Sequence, residues 1–165
     1  MQNWKKLVLA SSLVLGFVAL AQEAEFVESV GAFDYYENLD PFTDSDNSFI
    51  GTFDSTDEEI LYFRCVEGEL ESFVTSGYLG SDGTAPVESR FDKKTPSDTH
   101  RWNLSTDGTA VFVPYNSMTT WVEEAKTSST LVIRMTDYDY STETYSFDLS
   151  GLSEALTRLS CAEQI

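Results

Sequence analysis

The chain has 165 residues, of which 28 are acidic and 10 are basic, and its formal net charge at pH 7 is −18. This length suits one domain of ordinary size. A surface this acidic repels nucleic acid and anionic lipid, so we expect neither as a partner. It favours cationic partners, divalent ions or simple solubility.

The N-terminal segment predicts export. Lys5 and Lys6 form a basic start, residues 7–20 are apolar, and Ala19 and Ala21 are small residues at the positions that signal peptidase reads. The apolar run is shorter than the roughly 20 residues of a membrane-spanning helix, and a retained anchor is the alternative. We predict a signal peptide over residues 1–21 and one domain over residues 22–165, exported to the periplasm or the medium. Loss of both lysines would leave 8 basic and 28 acidic residues, a charge of −20.

The chain contains two cysteines, Cys65 and Cys161. In an exported protein, two cysteines predict one disulfide, and two free thiols are the alternative. A bridge across 96 positions would stabilise the fold by about 4–5 kcal/mol in the chain-entropy model.

Short strands dominate the first half of the predicted domain. Alternating apolar residues and turn signals predict strands near residues 26–30, 48–54, 59–66, 69–75 and 87–92. Residues 35–47 are rich in turn formers, and residues 77–86, with three glycines and a proline, predict a surface loop.

The next hairpin has the strongest local signal. Residues 101–105 and 109–113 flank Asp107-Gly108, a dipeptide typical of tight hairpin turns. We expect Trp102 and Leu104 to share a face with their neighbours Ala110 and Phe112.

Two helices complete the prediction. One carries an apolar stripe, and the other closes the domain just before Cys161; their apolar residues are Met118, Trp121, Val122 and Ala125, then Leu152, Ala155, Leu156 and Leu159. Alternating strands near residues 131–135 and 145–147 lie between them. The fold class predicted is mainly β: an antiparallel β-sandwich of about eight strands with two short helices, the C-terminal one tied by the disulfide.

Several segments in fixed order resemble one known family. They are Leu61-Tyr62-Phe63-Arg64-Cys65, Arg90-Phe91-Asp92, Trp102-Asn103-Leu104-Ser105-Thr106-Asp107, Val132-Ile133-Arg134-Met135-Thr136, and Phe147-Asp148-Leu149-Ser150-Gly151-Leu152 followed by Cys161. This succession resembles the VasI/TagO family of exported accessory proteins associated with type VI secretion. The resemblance implies a non-catalytic envelope protein whose partner is another exported or envelope protein.

The sequence shows no frame for catalysis. His100 is the sole histidine, and no Gly-x-Ser-x-Gly elbow surrounds a serine. Close carboxylate pairs arise by chance among so many acids, which makes a glycosidase a weak proposal. We predict no catalytic residues and no enzyme activity, with a hydrolase as a minor alternative.

Two further features are candidates for binding. Asp44, Asp46 and Asn47 place oxygen ligands close together, as calcium requires, although ordinary acidic turns have the same composition. We predict no cofactor, with calcium as the weak alternative.

The other feature is a set of tyrosines that could present an aromatic surface to a sugar or a peptide, or lie half-buried at strand ends: Tyr35, Tyr36, Tyr138 and Tyr140.

The function predicted is that of an exported binding protein without a membrane span after signal cleavage. An acidic inhibitor or binding module for a cationic enzyme such as lysozyme is the alternative, because opposite charge accelerates encounter. The oligomeric state stays open.

Overall fold

The structure, a computed structural model, describes residues 24–161. The predicted signal peptide lies outside the described residues. The described part contains ten β-strands and two α-helices. The strands are β1 (Glu25–Val30), β2 (Phe33–Glu37), β3 (Phe49–Phe53), β4 (Ile60–Val66), β5 (Glu69–Thr75), β6 (Thr84–Phe91), β7 (His100–Leu104), β8 (Ala110–Phe112), β9 (Thr130–Thr136) and β10 (Thr142–Asp148); the helices are α1 (Met118–Lys126) and α2 (Leu152–Leu156).

All ten strands belong to one antiparallel sheet in the order β1-β2-β3-β4-β5-β8-β7-β6-β9-β10. The sheet curves back on itself, because Asp54, just after β3, bridges Phe147 in β10. The Ser55 amide also donates a hydrogen bond to the Ser146 carbonyl, at 2.9 Å. The predicted mainly antiparallel β fold with two short helices is confirmed, and hydrogen bonds join its strands into one continuous sheet.

The core fills the inner face of the curved sheet. Its largest fully buried side chains include Phe33, Phe63 and Phe147. Helix α1 adds Trp121, whose ring centroid lies 5.4 Å from that of Phe91, 6.1 Å from that of Phe63 and 6.3 Å from that of Trp102. The predicted apolar stripes of both helices are buried against this cluster.

Three local predictions are wrong. Strand β2 occupies part of the segment assigned to turns; its residues Phe33 and Tyr35 are the ones that face the core. Pro86 lies inside β6 rather than in a loop, at a point where β6 pairs with β7 but not yet with β9. A proline is tolerated there because the sheet requires no amide donor from it on the β9 side.

The β7–β8 hairpin has a different register from the predicted one. Phe112 pairs with Asn103, and Val111 pairs with Leu104, so Phe112 faces away from Trp102. The turn is longer than predicted. The Ser105 amide donates a hydrogen bond to the Ala110 carbonyl at 3.0 Å, and four residues lie between these two. The two-residue turn that Asp107-Gly108 suggested does not form.

The predicted disulfide joins Cys65 in β4 to Cys161 after α2, with 5.8 Å between the Cα atoms. Both cysteines are at most 9% exposed. The bridge therefore holds the C-terminal helix against the middle of the sheet from within the core.

Removing the bridge is expected to lower the free energy of unfolding by about 2–5 kcal/mol, because the unfolded chain regains the freedom of a long loop. The measurement compares urea unfolding of the oxidised protein with that of the Cys65→Ser/Cys161→Ser variant. Reductant should destabilise the former and leave the latter unchanged; equal stability of the two proteins would contradict the prediction.

Two glycines share a left-handed backbone conformation but differ in the space around them. Gly151, before α2, has a φ of +84°, and a Cβ there would lie 2.6 Å from the Val30 carbonyl oxygen. Gly68, in the β4–β5 turn, has the same φ, but a Cβ there would meet nothing within 4 Å. Comparing alanine substitutions at these two positions separates the energetic cost of the backbone conformation from the cost of a steric clash.

We expect Gly68→Ala to lower the free energy of unfolding by about 1 kcal/mol, the cost of a left-handed alanine. Gly151→Ala should cost at least about 2 kcal/mol more, because α2 must move away from the β1–β2 turn. Urea unfolding of both variants measures the difference, and equal losses would show that the close approach is easily relieved.

Asp54 organises the turn between β3 and β4. Its buried carboxylate accepts hydrogen bonds from the Thr56, Glu58 and Glu59 amides at 2.9–3.0 Å and from the Thr56 hydroxyl at 2.8 Å. Burial alone would raise the pKa of Asp54, but the hydrogen bonds outweigh it and hold the pKa below its ordinary value of 3.8. The ionised carboxylate thus stabilises the turn at which the sheet closes.

Because the pKa of Asp54 is lower in the folded chain, its contribution to stability is present above about pH 4 and is lost as the pH falls further. Asp54→Asn is expected to lower the free energy of unfolding by about 1–3 kcal/mol at neutral pH. The free energy of unfolding of the variant should also fall less steeply as the pH is lowered. The exposed Asp98→Asn is the control. Identical acid profiles for the two variants would refute this role of Asp54.

Candidate functional site

A continuous row of aromatic rings crosses the outer face of six strands. Each ring contacts the next with centroids 4.9–5.7 Å apart. We call this row the aromatic ladder; from β1 through β5 to β8, its members are Phe26, Tyr36, Phe49, Tyr62, Phe73 and Phe112.

The register of the strands produces the ladder. Tyr36 pairs with Phe49, and Phe73 pairs with both Tyr62 and Phe112, so these rings are direct cross-strand neighbours on one face. Phe49 and Tyr62 are diagonal neighbours, because the residue opposite Tyr62 is Gly51. A Cβ at Gly51 would lie 3.4 Å from the Tyr62 ring, so the glycine leaves room for that ring to lie over the strand.

The ladder is only half-buried. Phe26 is 53% exposed, and the other five rings are partly exposed. Burial raises the pKa of the Tyr62 phenol, and the nearby Tyr36 raises it further by a smaller amount. Phe53 and Val66, on the same outer face, are 49% and 43% exposed and extend the apolar surface on either side.

Four of the six rings form two stacked pairs. Tyr36 stacks on Phe49 with an interplanar angle of 16°, and Tyr62 stacks on Phe73 at 21°. Stacked rings turn their faces towards each other and present their edges to solvent. The surface therefore suits contact with apolar side chains better than the flat stacking of a sugar ring.

One ion pair borders the ladder. The Arg64 guanidinium lies 5.1 Å from the Phe73 centroid and contacts Glu71 at 2.6 Å. Asp34 and Glu69 share the outer face, where Asp34 accepts from the Ser29 hydroxyl at 2.6 Å. These four charged groups give the bordered face a net negative charge.

Charge is distributed unevenly along the chain. Residues 24–75, which form β1 to β5, contain 14 acidic residues and one basic residue, a formal charge of −13. Residues 76–161 contain 12 acidic and seven basic residues, a formal charge of −5. The half of the fold that carries most of the aromatic ladder is therefore the more acidic half.

His100 lies at the start of β7, as predicted, and lines a cleft of about 420 Å³ with Trp102, Trp121 and Ser97. The Ser97 hydroxyl accepts a hydrogen bond from the Ser89 amide at 2.9 Å. Among the hydrogen bonds of residues 24–161, none involves the His100 imidazole. The structure brings the histidine near serines without forming the hydrogen-bonded relay that a nucleophile requires.

The candidate calcium ligands lie in the loop between β2 and β3. The Asp46 carboxylate accepts from the Ser48 amide at 2.9 Å, and Asp44 has a positive φ of 55°. Within the described range, no group of three or more His, Cys, Asp or Glu side chains could hold a metal ion. Calcium binding by Asp44, Asp46 and Asn47 stays a prediction.

The four tyrosines singled out by the sequence do not form one surface. Tyr36 belongs to the aromatic ladder, while Tyr35 packs against the core from the other face of β2. Tyr138 contacts Tyr78 at 5.5 Å between centroids, and Tyr140 is largely exposed in the β9–β10 turn. Five of the six ladder rings come from the consecutive strands β1 to β5, and the strand register, which local sequence patterns do not give, places them side by side.

Over residues 24–161, no helix is long and apolar enough to cross a membrane.

Comparisons with known proteins show a likeness in structure. No family model matches the chain, and no curated protein matches it in sequence. Among solved structures, the chain is similar to invasion associated protein B from Bartonella henselae, with a TM-score of 0.57 and 13% sequence identity. The likeness covers 83% of this chain and 94% of that protein. At this identity, the likeness shows a shared fold.

Proposed function

We propose that the protein is exported and acts by binding another macromolecule, without catalysis of its own. The aromatic ladder carries this proposal. Contiguous apolar patches larger than a few hundred Å² are rare on soluble monomers, and the largest apolar patch is often functional. The ladder supplies such a patch on a sheet whose inner face already contains the whole core.

A comparison within the same sheet supports the proposal. Where β6, β7 and β9 meet, the outer face is polar: Arg134 pairs with Glu88 at 3.2 Å, and Arg101 donates to the Thr84 hydroxyl at 2.7 Å. The fold therefore tolerates a polar outer face, as antiparallel sheets commonly do. Six aromatic side chains in a row are a property of one region, and folding does not require them there.

Export is supported by the basic and apolar N-terminal residues and by the disulfide. The resemblance to VasI/TagO proteins suggests a finer role, as an accessory to a type VI secretion machine. That role predicts that deletion of the gene reduces secretion by such a machine in a host that has one. Normal secretion would leave only the general role.

A second function is favoured by charge. An acidic protein meets a basic enzyme faster than a neutral one does, so inhibition of a cationic enzyme such as lysozyme is the alternative. Residues 24–75, with their charge of −13, would provide the steering. Lysozyme assays at low and moderate salt distinguish this function, because inhibition should weaken as salt is added.

The binding role is tested with Phe49→Ser/Phe73→Ser, which interrupts the ladder at two strands. We expect the purified variant to stay folded, with a loss of about 1–3 kcal/mol in the free energy of unfolding from the lost ring contacts. In extracts of the producing organism, the tagged wild type should elute from gel filtration in a complex, and the variant should elute alone.

The control is Val132→Ser, on the outer face of β9. It removes apolar surface away from the ladder and should leave the complex intact. If all three proteins eluted at the same position, the ladder would not be a binding surface.

A further inference from the structure

We infer that the aromatic ladder is the docking surface for a cationic protein, whose basic residues surround a small apolar contact. This inference rests on the proposed binding function and adds the chemistry of the partner. The ladder alone would fit many apolar surfaces. Its electrostatic surroundings select among them.

Three acidic residues, Asp34, Glu69 and Glu71, border the ladder on its outer face. Arg64 is the sole basic residue in residues 24–75, and Glu71 already binds it. Glu69 accepts a hydrogen bond from the Tyr115 hydroxyl at 2.9 Å, and Asp34 accepts one from Ser29. Both donors are neutral hydroxyls, so neither hydrogen bond adds a positive charge beside its carboxylate.

Most of the chain's own basic residues lie elsewhere. Arg90, Arg101 and Arg134 project from the outer face of β6, β7 and β9, and Lys93 and Lys94 follow β6. Of these, Lys94 pairs with Glu124 at 3.0 Å and Arg134 pairs with Glu88 at 3.2 Å. Arg64 is therefore the one basic side chain on the outer face of β1 to β5, where three carboxylates leave a net charge of −2.

A second copy of the chain is a poor occupant for this face. Two such surfaces would bring together two acidic faces, and like charges oppose their approach. Nucleic acid is disfavoured for the same reason. A glycan would need exposed ring faces, and in the stacked pairs Tyr36–Phe49 and Tyr62–Phe73 each ring already uses one face on its partner.

The size of the ladder limits how much of a contact it can supply. Six neighbouring strands at about 4.8 Å spacing give a row roughly 24 Å long and one ring wide. A stable protein–protein interface uses about 800 Å² on each partner. A single row of partly exposed rings supplies only part of such a contact, which leaves room for the bordering acidic residues.

Photo-crosslinking in the producing organism tests the inference. Phe73 is replaced by the photoreactive residue p-benzoylphenylalanine in the full-length chain, and the same replacement at Val132 is the control. We expect a crosslinked protein with a basic isoelectric point from position 73 and not from position 132. Mass spectrometry should place the crosslink beside lysine or arginine residues.

The affinity of the purified partner is then measured at several salt concentrations. Its affinity for the wild-type protein should fall at least about tenfold between low and moderate salt, as expected for charge-steered binding. Asp34→Asn/Glu69→Gln should weaken binding and reduce its salt dependence, whereas Phe49→Ser should weaken it with the salt dependence unchanged.

The outcomes separate the two proposals. A ladder-specific partner that is neutral or acidic, a second copy of this chain, or binding that does not respond to salt would overturn the cationic assignment and leave the binding function standing. Absence of any adduct specific to position 73 would overturn both.

Discussion

The covalent tie between Cys65 and Cys161 is the constraint on which the arrangement of the two faces depends. It links the middle of β4 to the residue that follows α2, so the helix stays against the inner side of the sheet. Gly151, the residue just before this helix, packs its backbone against the β1–β2 turn at Gly31. With both ends of the described chain held against the sheet, the inner face is fully covered and the outer face is left for other contacts.

Because side chains alternate between the two faces of a strand, the outer face of the sheet can differ in character from the core. In β4, Leu61 and Phe63 point inward, while Tyr62 and Arg64 point outward. The inward residues have to be apolar for the domain to fold. The outward residues are under no such requirement, and for this reason the aromatic ladder carries information about function that the core does not.

The sequence predicted the parts of the fold that depend on local pattern or on few candidates. Alternation identified β4 and β5, and the presence of only two cysteines identified the bridge. Sequence patterns failed where the pairing of strands that are distant in the chain determines the structure. The outward direction of Phe112 depends on a four-residue turn, and its place beside Phe73 depends on the pairing of β5 with β8. Neither contact has a signature in the residues next to it, so the ladder emerges only once the strands are assembled.

The acidity of the ladder region has a cost within the protein itself. Fourteen carboxylates against one guanidinium in residues 24–75 repel one another, and such self-repulsion destabilises a compact chain. A disulfide closing 96 positions contributes about 4–5 kcal/mol in the chain-entropy model, and it acts on the unfolded chain whatever the charge of the folded one. The bridge therefore offsets the repulsion without cancelling the field at the surface. A fold stabilised in this way can keep a negatively charged, aromatic outer face exposed.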